Sequence, residues 1–315
     1  VIRRLLVTLA LAGSAVLLGG VGGPGVAWAH AGGLTSATSE PIVLGVEPRI
    51  PGLDVAVVEF GARLRLDNGT GQPVAVAPSP GSTVNVLPTV VPGGKAFWSD
   101  PRVAWAAARP RPPDERLSWQ IPLRVGETPV TVLGEQYWPP APPAGMWWLL
   151  TGVALAVPAA LAALACRRPR AEPDRGGAGP FARAVLAAAT LLVICAHLVH
   201  IYGSSLVPAQ GEVIWLFLGA AGFAIVAWPV GLAGAYYTLR GNPTGPLLCL
   251  VAGALIAVII SPADMFSFHD AVVPYAWGAD LDRLLIALNV GGGLGVIAAA
   301  TILMRNAPAS TDPSR

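Results

Sequence analysis

The sequence predicts a membrane all-α bundle of five transmembrane helices, preceded by an extracytoplasmic all-β, sandwich-like domain. Three observations predict it. Of the 315 residues, 54% are hydrophobic and only 12% charged, where soluble domains average about 25% charged residues. Five long apolar segments fill the second half of the chain. The stretch before them instead alternates apolar and polar residues in short runs between turn signals.

Residues 1–29 read as a secretory signal. Arg3 and Arg4 open it, "LLVTLALAGSAVLLGGVGG" is its apolar stretch, and small residues follow. Ala27-Trp28-Ala29 and Ala29-His30-Ala31 are overlapping small-x-small cleavage patterns. Cleavage after Ala29 leaves His30 as the first residue, with a free α-amine beside its imidazole.

Residues 30–140 form the expected β domain. In "ARLRLDNGTGQPVAVA", Leu64 and Leu66 alternate with Arg63 and Arg65, so one strand face is buried and the other wet. Asp67-Asn68-Gly69 is a turn signal, and Val74 and Val76 resume the alternation. Ser118 to Arg124 and Pro129 to Tyr137 read as two strands around Gly126-Glu127. With "IVLGVEP" and "LDVAVVEFG", six or seven short strands are expected, a small sandwich. Asn68-Gly69-Thr70 also matches a glycosylation sequon, which a turn explains equally well.

Residues 141–144 close a proline-rich spacer, and Trp147 and Trp148 stand where an interfacial aromatic belt belongs. The apolar segments lie at about 145–166, 181–203, 212–239, 246–262 and 280–304, within a transmembrane domain of residues 145–305. Each is close to the roughly 20 residues that cross a bilayer. Arg167, Arg168, Arg170, Arg175 and Arg183 lie between the first two, Arg240 between the third and fourth, and Arg305 and Arg315 after the fifth. The loops 204–211 and 263–279 hold no Lys or Arg. The positive-inside rule therefore puts the β domain outside and residues 306–315 in a cytoplasmic tail, in the plasma membrane.

The lipid bilayer is the expected environment. Net charge of +2 gives no reason to expect nucleic acid. No Walker loop, Gly-x-Ser-x-Gly, His-Glu-x-x-His or Cys-x-x-Cys occurs, so no enzyme is expected. Cys166, Cys195 and Cys249 all sit in apolar runs, with no zinc spacing. Gly291 and Gly295 are four apart in the fifth helix and read as a close-packing face. Asp280, Asp282 and Arg283 open that helix and read as interfacial capping. Helices two to five otherwise carry no charge away from their ends, which weighs against a coupled transporter.

The histidines offer candidate metal chemistry. His197 and His200 share one face of the second helix, near its outer end, and His269 lies in the last outer loop beside Asp264, Met265 and Asp270. Imidazole suits copper and zinc, and the Met265 thioether suits copper(I). Interfacial or structural histidines are the plainer alternative.

The runs "AHAGG", "VEPRIPGLDVAVVEFGARLRLDNGTGQPVAV" and "PLRVGETPVTVLGEQYWPP", followed by five helices, resemble a family of uncharacterised actinobacterial membrane proteins. The "AHA" start also resembles that of small periplasmic copper-binding β-sandwich proteins, whose mature N-terminal histidine is a copper ligand. These resemblances imply copper, His30 as a ligand, and other membrane or secreted metal-handling proteins as partners. Members of the family carry a histidine-rich segment after a Trp in the β domain. "VAWAAARPRPP", Val103 to Pro113, keeps Trp105 but holds no histidine. Two functional readings stand: an extracytoplasmic metal-handling accessory protein using His30, His197, His200, His269 and Met265, or a membrane-anchored structural or interaction module with no metal role.

Overall fold

A computed structural model describes residues 34–77, 89–167 and 179–306. The segment 1–29, His30, Arg168, Arg170, Arg175 and Arg315 lie outside them.

Among the described residues, eight strands form two antiparallel sheets. β1 (Glu40–Glu47), β4 (Val74–Val76), β5 (Thr89–Val90), β7 (Arg116–Val125) and β8 (Thr128–Tyr137) make one, in the order β1-β8-β7-β4-β5. β2 (Leu53–Val58), β3 (Arg63–Asn68) and β6 (Lys95–Trp98) make the other, in the order β2-β3-β6. The period-2 pattern decides the faces. Leu64 and Leu66 turn inward from β3, and Trp119, Ile121, Leu123, Val130 and Val132 turn inward from the β7–β8 hairpin to meet them. Gly134 has no side chain because Trp119 fills its place: a Cβ there would lie 2.1 Å from the indole.

The turn after β3 does more than the alternation suggests. β3 pairs with β2 and β6, while β4 pairs with β5 and β7, so Asp67-Asn68-Gly69 carries the chain between sheets. Asn68 pins this crossing. It is buried, its Nδ2 donates to the carbonyls of Gln72 and Val90 (both 2.8 Å), and its Oδ1 accepts from the Thr70 hydroxyl and N–H. The nitrogen that a glycan would need is thus occupied by the fold.

The stretch around Trp105 forms a short helix, α1 (Pro101–Ala107), capped by Asp100. Asp100 also accepts from Trp98 Nε1 at 3.0 Å and from the Arg102 guanidinium at 2.7 Å. Burial alone would raise its carboxyl, but the Arg102 and Trp98 donors outweigh burial and hold it below the ordinary value. A depressed carboxylate contributes stability above its unfolded value, about 3.9, and that contribution fades as pH falls through the folded value. Asp100→Asn should therefore cost on the order of 1 kcal/mol at neutral pH. The gap between variant and wild type in thermal unfolding should close below about pH 4.

The rest is a multi-pass membrane bundle. α2 (Ala144–Arg167) and α3 (Pro180–Ser205) are long apolar helices of 24 and 26 residues. Thr244–Phe268 and Ala279–Arg305 are two more continuous spans of 25 and 27 residues. The first of these runs as α6 (Thr244–Ala254), a π-helical turn (Leu255–Ile260) and a 3-10 stretch (Ser261–Phe268). The second runs as α7 (Ala279–Ala287), a π turn (Leu288–Gly292) and α8 (Gly293–Arg305). The third apolar segment is not the single helix expected from 212–239. It breaks into α4 (Val213–Ala221) and α5 (Ala224–Leu239), bent by 72°. The break falls at Gly222, whose φ of 46° and ψ of −122° suit only glycine. Among the described residues, four helices are long and apolar enough to cross a membrane, or five if the bent pair is one span.

The glycines of the fifth span do pack closely. A Cβ on Gly291 would lie 2.1 Å from the Thr151 carbonyl oxygen, and one on Gly295 would lie 2.8 Å from that of Leu155. The backbone of α2 therefore rests on this face. Gly291→Leu should push α2 away and lower stability by roughly 1–3 kcal/mol, read as a drop in the unfolding temperature in detergent.

The β domain sits on one end of the bundle. Ala37 and Val272 exchange two backbone hydrogen bonds of 2.9 Å, and the Ser36 hydroxyl donates to Asp270. On the other side, Glu59 Oε1 accepts from Ala209 N–H and Arg63 donates to Gln210 Oε1, both at 2.7 Å. Both helix-connecting loops at this end, around 206–212 and 269–278, are thus tied to the β domain.

Candidate functional site: a buried charged centre

Just below that interface the bundle encloses charged side chains. His200 is on α3, on the side where Gly203 lets Tyr275 approach. Its Nδ1 lies 2.8 Å from Asp282 Oδ1, on α7. Its Nε2 lies 3.4 Å from Asp264 Oδ2, in the 3-10 stretch. All three are buried. The ring of Tyr275 stacks on that of His200, with centroids 6.2 Å apart and planes 15° apart. Gly203 makes the stacking possible, since a Cβ there would lie 2.3 Å from the phenol ring. The Tyr275 hydroxyl donates to the Val199 carbonyl at 2.9 Å. Burial, with the Asp282 charge behind it, pushes the phenol above its ordinary value, so it remains a neutral donor.

Arg283 binds the loop that closes the centre. Its Nε donates to the Ser267 carbonyl (2.8 Å), and Nη2 donates to those of Asp270 (2.8 Å) and Ala271 (3.3 Å). Its Nη1 reaches Asp280, whose side chain is largely exposed. Asp270 and the neighbouring Val272 are the residues by which this loop holds the β domain. One guanidinium, next in sequence to Asp282, therefore holds the segment that makes the domain contact.

The centre corrects the expectation for these residues. Asp282 and Arg283 do stand near the start of α7, but their side chains are buried and do not cap it. Asp264, buried near the end of the fourth span, approaches His200 from the other side. A neutral imidazole has one N–H and serves one carboxylate; an imidazolium serves both.

The metal candidates are not gathered in one place. His197 is buried one turn below His200, with ring centroids 6.2 Å apart. Its Nδ1 accepts from Trp228 Nε1 at 3.2 Å, so in the neutral ring the proton sits on Nε2. His269 is exposed and its Nε2 accepts from Trp148 Nε1 at 3.3 Å. Met265 packs with Trp147, Phe268, Ile286, Ala287 and Val290, an apolar cluster. Among the described residues no group of three or more His, Cys, Asp or Glu is placed to hold a metal ion.

Sequence reasoning missed Asp282 and Arg283 as core residues, and Tyr275 altogether. A signal was present: Asp282, Ile286 and Asn289 recur at helical spacing, which puts polar residues on the face that packs inward. The comparisons with known proteins add nothing to this: no family model matches the chain, and no curated protein or solved structure is significantly similar to it.

Proposed function

We propose that this chain is a plasma-membrane transducer, in which an extracytoplasmic β domain and the helical bundle act as one coupled unit through the charged centre. The orientation is supported by charge: Arg183, Arg240 and Arg305 lie at the end of the bundle away from the β domain, while the loops that touch it hold no Lys or Arg. One observation carries the coupling. The segment 261–278 supplies Asp264 and Tyr275 to His200, receives the bonds from Arg283, and presents Asp270 and Val272 to the base of the β domain. Any event that alters one contact set must act through the other, because the segment between them is short and held at both ends.

The interaction reading fits this arrangement better than simple anchoring, since an anchor needs no charged side chains buried among helices, where they are costly. Amide hydrogen exchange on the purified full-length protein tests it. In Asp264→Asn, protection should fall not only near the substitution but also at residues 34–39 and 209–210. If exchange changes only within the bundle, the coupling is absent.

A further inference from the structure

A cavity of about 240 Å³ opens in the β domain, beside the residues that touch the bundle. The strap before β1 lines it with Ala37 and Ser39, and the turn between β2 and β3 lines it with Glu59, Phe60 and Arg63. Ala104 of α1 and Gln136 of β8 also line it. The strap and the turn make the contacts with the bundle. Ala37 bonds Val272, Glu59 bonds Ala209, and Arg63 bonds Gln210. A molecule in this cavity therefore lies against residues of both contacts.

Two observations mark the cavity as a built site. Gln136 is fully buried, and its Nε2 donates to Ser39 Oγ at 2.7 Å. Its Oε1 has no hydrogen-bond partner among the described residues. A buried amide ordinarily has both polar atoms satisfied, and this one belongs to a residue that lines a cavity. The second observation is backbone strain. Glu59 and Phe60 have φ of 55° and 54°, and neither is glycine. Residues held in this region cluster at ligand sites, where the surrounding structure fixes them. Here Arg63 (2.8 Å) and the Ala209 N–H (2.7 Å) hold Glu59, and the turn leaves Phe60 exposed in the lining.

The lining selects the chemistry of its occupant. Its carboxylates are already paired, Glu59 with Arg63 and Asp100 with Arg102, so they call for no counter-charge. Ser39 Oγ accepts from Gln136 and keeps its own O–H to donate. Beside it, Gln136 Oε1 lacks a donor. A hydroxyl group both donates and accepts, so it matches this pair. Phe60 adds an apolar face for C–H groups. At about 30 Å³ per water the volume corresponds to roughly eight waters, which suits one ring with its hydroxyls.

We infer that the cavity binds an uncharged polyhydroxyl molecule about the size of one sugar ring. Its hydroxyls hydrogen-bond Gln136 and Ser39, and its C–H face rests on Phe60. Binding needs only the β domain; its use as the input to the coupled unit rests on the function proposed above.

The test is calorimetric titration of the full-length protein in lipid nanodiscs, which carry no sugar headgroup. The probes are D-glucose, D-galactose and myo-inositol, with D-glucosamine and D-glucuronate as charged counterparts. At least one neutral probe should bind saturably, and more tightly than either charged one. Gln136→Leu should weaken binding about tenfold, the cost of one hydrogen bond. Ala104→Phe, from an exposed position on α1, should fill the cavity and abolish binding while the unfolding temperature stays that of wild type. Should Gln136→Leu fail to fold, Ala104→Phe decides alone. No saturable binding of any neutral probe, tighter binding of a charged one, or wild-type affinity in Ala104→Phe overturns the inference. Hydrogen exchange in Asp264→Asn, measured without any probe, reads the coupling separately, so either result stands without the other.

Discussion

His200→Leu is expected to destabilise the protein by roughly 3–5 kcal/mol, the range seen when one partner of a buried ion pair is removed. The reason is what remains. Asp264 and Asp282 approach the imidazole from two separate elements, and leucine offers neither carboxylate a hydrogen bond. Chemical or thermal unfolding in detergent, followed by tryptophan fluorescence, gives the size of the effect. The double variant His200→Leu/Asp282→Asn should recover part of the loss, because it withdraws one of the stranded charges. If the single variant unfolds with wild type, or the second substitution adds its full cost instead of relieving the first, the ion-pair account of this centre is wrong.

The second large effect belongs to Arg283. Arg283→Met keeps the length and the apolar stem but leaves the Ser267, Asp270 and Ala271 carbonyls without their donor. It also removes the only guanidinium bonded to the segment between Ser267 and Ala271 among the described residues. A loss on the order of 1–3 kcal/mol is expected, because buried carbonyls are left without their charged donor. The bond to Asp280 contributes little to this figure, since that carboxylate is largely exposed. Arg283→Lys should rescue the charge but not the geometry, as one ammonium cannot reproduce a planar fork that spans three carbonyls. Limited proteolysis gives a direct readout: cleavage within 261–278 should become fast in Arg283→Met and intermediate in Arg283→Lys. Equal resistance in all three proteins would show that the loop is held by other means.

The division between what could be read and what could not follows from the range of the interactions. Leu64, Leu66 and the β7–β8 hairpin were legible because strand faces depend on a two-residue period and a turn, both local. The apolar spans were legible because crossing a bilayer is a matter of length and composition, and α2 and α3 end close to where those limits put them. The glycine face at Gly291 and Gly295 was legible for a similar reason, being four residues of one helix. The break at Gly222 was not, because one glycine in an apolar run fits a straight helix as well as a bent one. Neither was the route of the chain after Asn68: a turn signal says that the chain reverses, and says nothing about which sheet receives it.

The charged centre shows the limit most clearly. Asp282 and Arg283 stand where a helix begins, and local rules assign such residues to the membrane interface. Only the depth of α7 against α3, and the return of residues 261–278 over it, places Asp282 beside His200 and Arg283 under that segment. The sequence by itself determined the β domain, the apolar spans and the distribution of arginines between loops, because these depend on periodicity, length and charge along the chain. The tertiary structure alone decided that His200, Asp264 and Asp282 meet, and that the segment bound by Arg283 also holds the β domain. Their separations along the chain are long, and burial turns a pair of distant carboxylates and a histidine into partners only once the helices have packed.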